Sequence, residues 1–297
     1  MTTHAPTDDW ITVHADSRRW ADVPLRAGDI VISTPPKSGT TLMQGIVHSL
    51  LWPDGDAPGP FLALSPWVDL RVAPIDEIAS TLAAQSHRRF LKTHSPADCV
   101  PRHADVSYIV VYRDGRDAVV SWANHRSKFL AEAMDDLNAK AALDGIAPLR
   151  RDFDGDDMDY LLDEWFREAS SVPHLASWWP LRGEPNVCFV HYADLLADLD
   201  GEMRRVADFL AIDVPDALWS ATVDRCRLDE MRAAAAAAGA GVITRLEGGA
   251  DSFFHKGTNG RWVGVLADDQ LARYDEHVAA GLDADAAAWL AAGGSIR

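Results

Sequence analysis

Apolar positions along the chain follow two different periods, and the two patterns alternate. Short apolar runs bounded by turn residues predict buried strands at residues 29–34, 88–93, 107–113 and 186–191. Segments with apolar residues at helical spacing lie between and after these runs. This alternation is consistent with an α/β fold built on a parallel sheet.

The helical patterns differ in length and in clarity. They predict helices at residues 40–51, 160–179, 191–212 and 226–238, with further helices from about residue 268 onward. Pro173 lies inside the second of these segments, and we expect it to bend that helix. The third segment follows the fourth strand directly and is expected to form one long helix.

Three segments fit neither period. Residues 61–74 mix large apolar residues with two prolines, which indicates either a loop held against the core or a wall of a binding pocket. The acidic run DFDGDDMD at residues 152–159 is expected to be a solvated surface loop. The glycine-rich segment 239–252 is expected to be mobile, as a lid over a pocket would be.

Polar residues gather where the first strand meets the first helix. The junction reads PKSGTT and contains Lys37, Ser38, Gly39, Thr40 and Thr41. Unpaired N–H groups and the positive dipole end make a helix N-terminus a phosphate site. A Walker loop has its lysine after the second glycine, whereas Lys37 precedes Gly39. The junction is therefore either another kind of phosphate loop or an ordinary turn that contains a lysine.

Two further polar groups follow the second and third strands. Lys92 and His94 stand two residues apart at the end of one strand, so their side chains project to the same side. Arg113 ends the next strand, and Ser121 follows eight residues later in the predicted helix, where both could reach one anion. Ligands bind outside the carboxyl ends of strands in open α/β sheets, which makes this edge the candidate site.

Composition limits the kind of partner. The chain has 297 residues and a net charge of −17, so nucleic acid is not expected as a partner. Three widely spaced cysteines match no zinc or redox pattern. No apolar run is long enough to span a membrane and no signal peptide is recognisable, so we expect one cytoplasmic domain over residues 1–297. Its oligomeric state is left open.

Four segments in the same order resemble the PAPS-dependent sulfotransferases of the cytosolic type, where PAPS is 3′-phosphoadenosine 5′-phosphosulfate. They read PKSGTT, RFLKTHSP, YIVVYRDGRDAVVSWANH and HKGTNGRW, and the resemblance covers about residues 25–275. It implies an α/β, P-loop-like fold with a central parallel β-sheet flanked by helices. It also implies PAPS as co-substrate, adenosine 3′,5′-bisphosphate (PAP) as product, and no metal. The alanine- and aspartate-rich composition suggests a bacterial member.

The resemblance implies catalytic roles for three residues. His94 would be the general base that takes the proton of the acceptor hydroxyl, a task that suits an imidazole. Lys37 would stabilise the departing oxygen, and Lys92 would hold the transferring group. The competing interpretation of His94 is an ordinary structural histidine.

The resemblance also implies a set of donor-binding residues. The amides of residues 38–41 would hold the 5′-phosphate. The 3′-phosphate would be bound by Arg113, Ser121, Lys256 and Gly257. Tyr192 would lie near the adenine, or would be a core tyrosine. The chain departs from the family pattern at Leu42, Cys226 and His255, which changes the expected adenine and phosphate contacts.

The acceptor is expected to be a small molecule with a hydroxyl group. Apolar residues at Phe61, Leu64 and Trp67 indicate a partly apolar alcohol, phenol or lipid. Two other functions stay open: a nucleotide kinase or ATPase with a degenerate P-loop, and a non-catalytic nucleotide-binding protein of the same fold.

Overall fold

The computed structural model describes residues 3–150, 157–238, 244–254 and 257–296. The strands in these ranges are β1 (Thr3–His4), β2 (Ile30–Ser33), β3 (Phe90–Thr93), β4 (Arg102–His103), β5 (Ser107–Tyr112) and β6 (Val187–His191). Four of them form a parallel sheet in the order β3, β2, β5, β6. β1 and β4 pair separately as a short antiparallel ribbon.

Helices flank the sheet, which confirms the predicted α/β class. The α-helices are α1 (Thr40–Leu51), α2 (Phe61–Leu64), α3 (Ile75–Ala84), α4 (Gly115–Arg126), α5 (Ala131–Ala142), α6 (Met158–Glu168), α7 (Ser171–Trp178), α8 (Tyr192–Ala197), α9 (Leu199–Leu210), α10 (Asp216–Asp224), α11 (Leu228–Ala238), α12 (Gly249–Phe253), α13 (Asp268–Gly281) and α14 (Ala284–Ala292). Short 3-10 helices cover Ser17–Asp22, Ala97–Cys99 and Trp179–Leu181. In the described part of the chain, no helix combines the length and the apolar character that crossing a membrane requires.

The central strand β2 shows why the sheet is covered on both faces. All four of its residues are buried, and successive side chains point to opposite faces. Ile30 and Ile32 pack on one face with Ile46 of α1, while Val31 packs on the other face in a cluster that includes Trp178 of α7. Two apolar layers therefore hold the sheet, and the carboxyl ends of its strands meet at one edge.

The single helix predicted around Pro173 is wrong. The structure has two helices, α6 and α7, with the break at Ala169 and Ser170. The Ser170 hydroxyl accepts a hydrogen bond from the Val172 N–H at 3.2 Å and so caps α7. Pro173 lies in the first turn of α7, where no intrahelical N–H bond is required, so it starts a helix instead of bending one.

The long helix predicted after the fourth strand is also wrong as a single element. It is divided into α8 and α9 at Asp198, whose backbone is not helical. The Asp198 carboxylate accepts the Gly201 N–H at 2.9 Å and caps α9. As at Ser170, a capping hydrogen bond starts a new helix where the apolar spacing alone predicts that one helix continues.

The segments without a period differ from expectation as well. The first, expected to be irregular, begins with the short helix α2, and α3 follows it without having been predicted. In the glycine-rich segment, residues 239–243 lie outside the described residues, and the rest contains α12 with Ala250 buried in the core. The mobility of this segment as a lid stays a prediction. Residues 151–156, most of the acidic run, also lie outside the described residues.

Candidate active site

The junction between β2 and α1 forms a tight loop. Gly39 caps α1 with a φ of 106°, a left-handed conformation that favours glycine. A Cβ added at Gly39 would lie 2.9 Å from the Tyr192 ring, so a side chain there would also clash. The buried Ser38 hydroxyl has no hydrogen-bond partner in the described part of the chain. The loop thus leaves a hydroxyl and the first-turn amides of α1 available for an anion.

A cavity of about 420 Å³ opens at the carboxyl edge of the sheet. It is lined by these predicted site residues: Lys37, Gly39, Thr40, Thr41, Lys92, His94, Arg113, Ser121, Tyr192 and Gly257. Ser38, which stands between Lys37 and Gly39 in the chain, is fully buried. Lys256 and His255 lie outside the described residues. The structure therefore brings together the described residues that the sequence placed in one site.

His94 has a defined protonation pattern. Its Nδ1 lies 2.6 Å from the Thr34 carbonyl oxygen, and because a carbonyl can only accept, Nδ1 carries the proton. Nε2 then has the free lone pair. Burial and the charge of Lys92 lower the pKa of His94 well below its usual value, so the ring is neutral near pH 7. A neutral imidazole with a free Nε2 is equipped to accept a proton.

Asp69 forms hydrogen bonds with the segment that contains His94. Its carboxylate accepts hydrogen bonds from the Thr93 hydroxyl, the Ser95 hydroxyl and the His94 backbone N–H. Trp67 lies edge-on to the His94 ring at 4.5 Å between centroids. These contacts hold the backbone of the segment after β3, and therefore fix where the imidazole stands.

Two lysines concentrate positive charge in the cavity. Removal from bulk water, together with the charges of Lys92, Arg113 and Arg261, lowers the pKa of Lys37 to about 7. Burial lowers the pKa of Lys92 to about 8, and its Nζ lies 3.9 Å above the Trp67 ring. Burial of two lysines is unfavourable for their charged forms, so a protein keeps them buried together only where they have a role. In a protein of net charge −17 they indicate a binding site for a polyanion.

Arg113 connects the sheet edge to the segment after residue 256. Its guanidinium donates to the Thr258 carbonyl at 2.5 Å and to Asn259 Oδ1 at 3.2 Å, and lies 4.9 Å from the Tyr192 ring centre. Asp117 of α4 accepts the backbone N–H groups of Gly260 at 2.8 Å and of Arg261 at 2.7 Å. The loop 257–261 is therefore fastened to α4 beside Ser121.

Some residues of the cavity were not predicted from the sequence. They are His14, Asp69, His125 and Arg261, of which Asp69 supports the wall and the other three line it. Arg261 lies inside the motif HKGTNGRW, and its charge was the signal that could have found it. The segment 61–74 was expected to pack against the core or to form a pocket wall, and it does both: Phe61 and Leu64 are packed in the core with α1, while Trp67 lines the cavity. Phe61 and Leu64 are buried because both lie on the side of α2 that packs against the core.

A sequence profile described as "Sulfotransferase domain" matches residues 27–286. The chain belongs to this family. The match covers most of the chain, and it confirms the resemblance carried by the four motifs as well as the prediction of a sulfotransferase family enzyme. In the described residues, no group of three or more His, Cys, Asp or Glu side chains is placed to hold a metal ion.

Individual relatives agree with the family match. A glycolipid sulfotransferase of Mycobacterium bovis is 34% identical, over 96% of this chain and 95% of the relative. Sulfotransferase 1A1 of Rattus norvegicus is 26% identical, over 84% of this chain and 83% of the relative. Among solved structures, a mouse sulfotransferase complexed with PAP superposes with a TM-score of 0.68 at 18% identity, covering 92% of this chain and 91% of that one. The similarity to the mouse structure shows that the two chains share a fold.

Proposed function

We propose that this sulfotransferase family member moves the sulfuryl group of PAPS to a hydroxyl of a small, partly apolar acceptor. The observation that carries the proposal is the constellation in one cavity: a neutral imidazole with a free Nε2, two lysines with lowered pKa, and a helix N-terminus. Family membership supports the same reaction.

The cavity fits the charge of a nucleotide with phosphate groups at two positions. The Ser38 hydroxyl and the amides of residues 38–41 would bind the 5′-phosphate at the start of α1. Arg113, Ser121 and Gly257 also line the cavity, and they would bind the 3′-phosphate together with Lys256. Arg261 adds a further cation there, and Tyr192 would lie beside the adenine.

PAPS would supply the sulfuryl group when bound. The side chains of the cavity would position the reacting groups and stabilise the charge that develops during transfer. His94 Nε2 would take the proton of the acceptor hydroxyl as that oxygen attacks sulfur in line. Lys37 would stabilise the negative charge that develops on the phosphate oxygen that departs. Lys92, held over Trp67, would hold the transferring group. Positioning and electrostatic stabilisation would supply most of the rate enhancement.

The acceptor half of the cavity is largely apolar. Its walls include Trp67, Leu70, Val72, Trp122, Phe129 and Leu137. These side chains suit the hydrophobic body of an alcohol, phenol or lipid. The 34% identity to a glycolipid sulfotransferase supports a lipid-linked hydroxyl as the acceptor class.

The first test is donor selectivity, measured as thermal stability with PAP and, separately, with Mg-ATP. A ligand that binds only the folded state at about a hundred times its Kd adds roughly 2.7 kcal/mol. We expect stabilisation by PAP alone. Lys37→Ala should lose most of it, whereas Lys140→Ala, on the exposed surface of α5, should keep it. Stabilisation by Mg-ATP alone would favour the kinase or ATPase and refute the proposal.

The second test addresses the base. His94→Ala should lower the rate of transfer from PAPS by about 10²- to 10⁴-fold, because proton transfer contributes that much, while PAP binding is retained. His277→Ala is the control, since His277 bonds Ser170 outside the cavity. Undiminished turnover by His94→Ala would remove His94 from the mechanism.

A further inference from the structure

His14 is a buried imidazole that lines the cavity and has no described partner. Only 8% of the residue is exposed, and neither ring nitrogen has a hydrogen-bond partner in the described part of the chain. A buried polar group left unpaired is unfavourable, and native proteins rarely leave one without a purpose. His14 therefore differs from the buried His174, whose two nitrogens contact Ser33 and Tyr112.

The backbone holds His14 in place. Its N–H donates to the Thr12 hydroxyl at 3.3 Å, and its carbonyl accepts the Arg71 N–H at 2.9 Å. The ring stands edge-on to Trp122, with 5.2 Å between centroids, and lies 6.0 Å from Phe129. The imidazole is thus a fixed polar group within the apolar acceptor half of the cavity.

His14 also lies within electrostatic reach of the reaction centre. A charge on His14 would lower the pKa of His94, and burial together with the charges of Arg126 and Lys92 lowers the pKa of His14 itself to about 3. The ring is therefore neutral at physiological pH. A neutral imidazole offers one N–H donor and one lone-pair acceptor, which together suit a hydroxyl group.

We propose that His14 binds a second hydroxyl of the acceptor, so that the substrate is a polyhydroxylated head group joined to an apolar body. The inference rests on the proposed sulfuryl transfer and adds to it the chemistry of the acceptor. A purely apolar mono-alcohol would leave the imidazole unpaired, whereas a polyol would satisfy it. A site built to bond a hydroxyl discriminates against analogues that lack one.

Two matched acceptors separate these cases. Octyl β-glucoside has several ring hydroxyls and an alkyl chain, and 4-octyloxycyclohexanol has the same ring size and chain with one hydroxyl. Binding of each to the enzyme saturated with PAP would be measured by calorimetry below the micelle concentration, and kcat/KM would be measured with PAPS. The proteins are the wild type, His14→Leu, His14→Gln and the control His277→Leu.

We expect His14→Leu to weaken octyl β-glucoside binding and kcat/KM by about tenfold, as loss of one buried hydrogen bond implies. Binding of 4-octyloxycyclohexanol should change by less than about twofold, since its single hydroxyl is taken by His94. His14→Gln keeps a donor and an acceptor and should recover part of the loss. His277→Leu should leave both acceptors unchanged.

Several outcomes would overturn the inference. An equal loss for both acceptors would mean that His14 only packs against Trp122. No loss for either would mean that it does not contact the acceptor. Wild-type enzyme that binds PAP but prefers the mono-alcohol would refute the polyol assignment alone. Wild-type enzyme that fails to bind PAP would refute the proposed function, and the inference with it.

Discussion

Binding of PAP should take up protons from solution, because the cavity holds lysines whose pKa values are lowered. The pKa of Lys37 is about 7 and that of Lys92 about 8 in the unliganded protein. A bound polyanion favours the charged ammonium and raises both values. PAP affinity should therefore fall as pH rises above about 7, where free enzyme increasingly holds the neutral amines.

The size of the effect follows from the two pKa values. At pH 8 a group with a pKa near 7 is protonated about one time in ten, and a group with a pKa near 8 about half of the time. If PAP holds both lysines as ammonium, binding takes up roughly 1.4 protons at pH 8 and only about 0.1 at pH 6. Phosphate groups with a second pKa near 6 are ionised at pH 8, so uptake at that pH reports on the protein.

Calorimetry measures this uptake directly. PAP is titrated at pH 8 in two buffers that differ in ionisation enthalpy, and the difference in apparent binding enthalpy gives the number of protons. Lys37→Met should reduce uptake to about half a proton, the share of Lys92, whereas Lys140→Met should match the wild type. Zero uptake by the wild type at pH 8 would refute the reasoning, since the lysines would then be charged before PAP arrives.

Other predictions concern the groups that shape the cavity. Gly39→Ala should lower stability by roughly 1–3 kcal/mol in thermal denaturation and weaken PAP binding, because φ is 106° and the new Cβ would meet Tyr192. Asp117→Asn should weaken PAP binding about tenfold by calorimetry, since one of its two backbone hydrogen bonds is lost. Asp69→Asn should lower kcat in a transfer assay with little change in PAP affinity, because a neutral amide oxygen accepts the three hydrogen bonds of Asp69 Oδ2 more weakly than a carboxylate oxygen does, which loosens the segment that positions His94.

Matched variants show whether these effects are specific. Gly183→Ala is the control for the glycine, since a Cβ at Gly183 meets nothing within 4 Å. Asp275→Asn, at an exposed position on α13, is the control for the two carboxylates. A loss of PAP affinity in Asp69→Asn as large as the loss of kcat would contradict a role limited to positioning His94. Unchanged PAP affinity in Asp117→Asn would separate the loop 257–261 from donor binding.

The part of the cavity lined by Lys37 and Arg113 was predictable because these residues stand at fixed positions relative to strand ends. Lys37 precedes α1, and Arg113 directly follows β5, so a correct strand pattern places both at one edge of the sheet. The same reasoning located His94 after β3. The helix breaks at Ser170 and Asp198 escaped prediction because one capping side chain decides each of them.

The apolar part of the cavity wall was less predictable, because several of its residues come from segments without periodic patterns. Trp67 was a candidate because its irregular segment is rich in large apolar residues, whereas the N-terminal segment that contains His14 does not indicate the cavity. Their positions depend on long-range contacts, such as the hydrogen bond between the Arg71 N–H and the His14 carbonyl and the pairing of Trp67 with Lys92. Contacts of this kind arise from tertiary packing, and they produce no pattern of residue spacing in the local sequence.

The fastening of loop 257–261 also affects when the cavity can exist. Its bonds to Arg113 and Asp117 join residues 143 to 146 positions apart in the sequence. Contacts so distant along the chain form late, because a large loop must close before they are made. During synthesis the sheet edge and Lys37 emerge long before Arg261 does. A nascent chain therefore has the loop between β2 and α1 but lacks the opposite side of the cavity until residues 257–261 have left the ribosome.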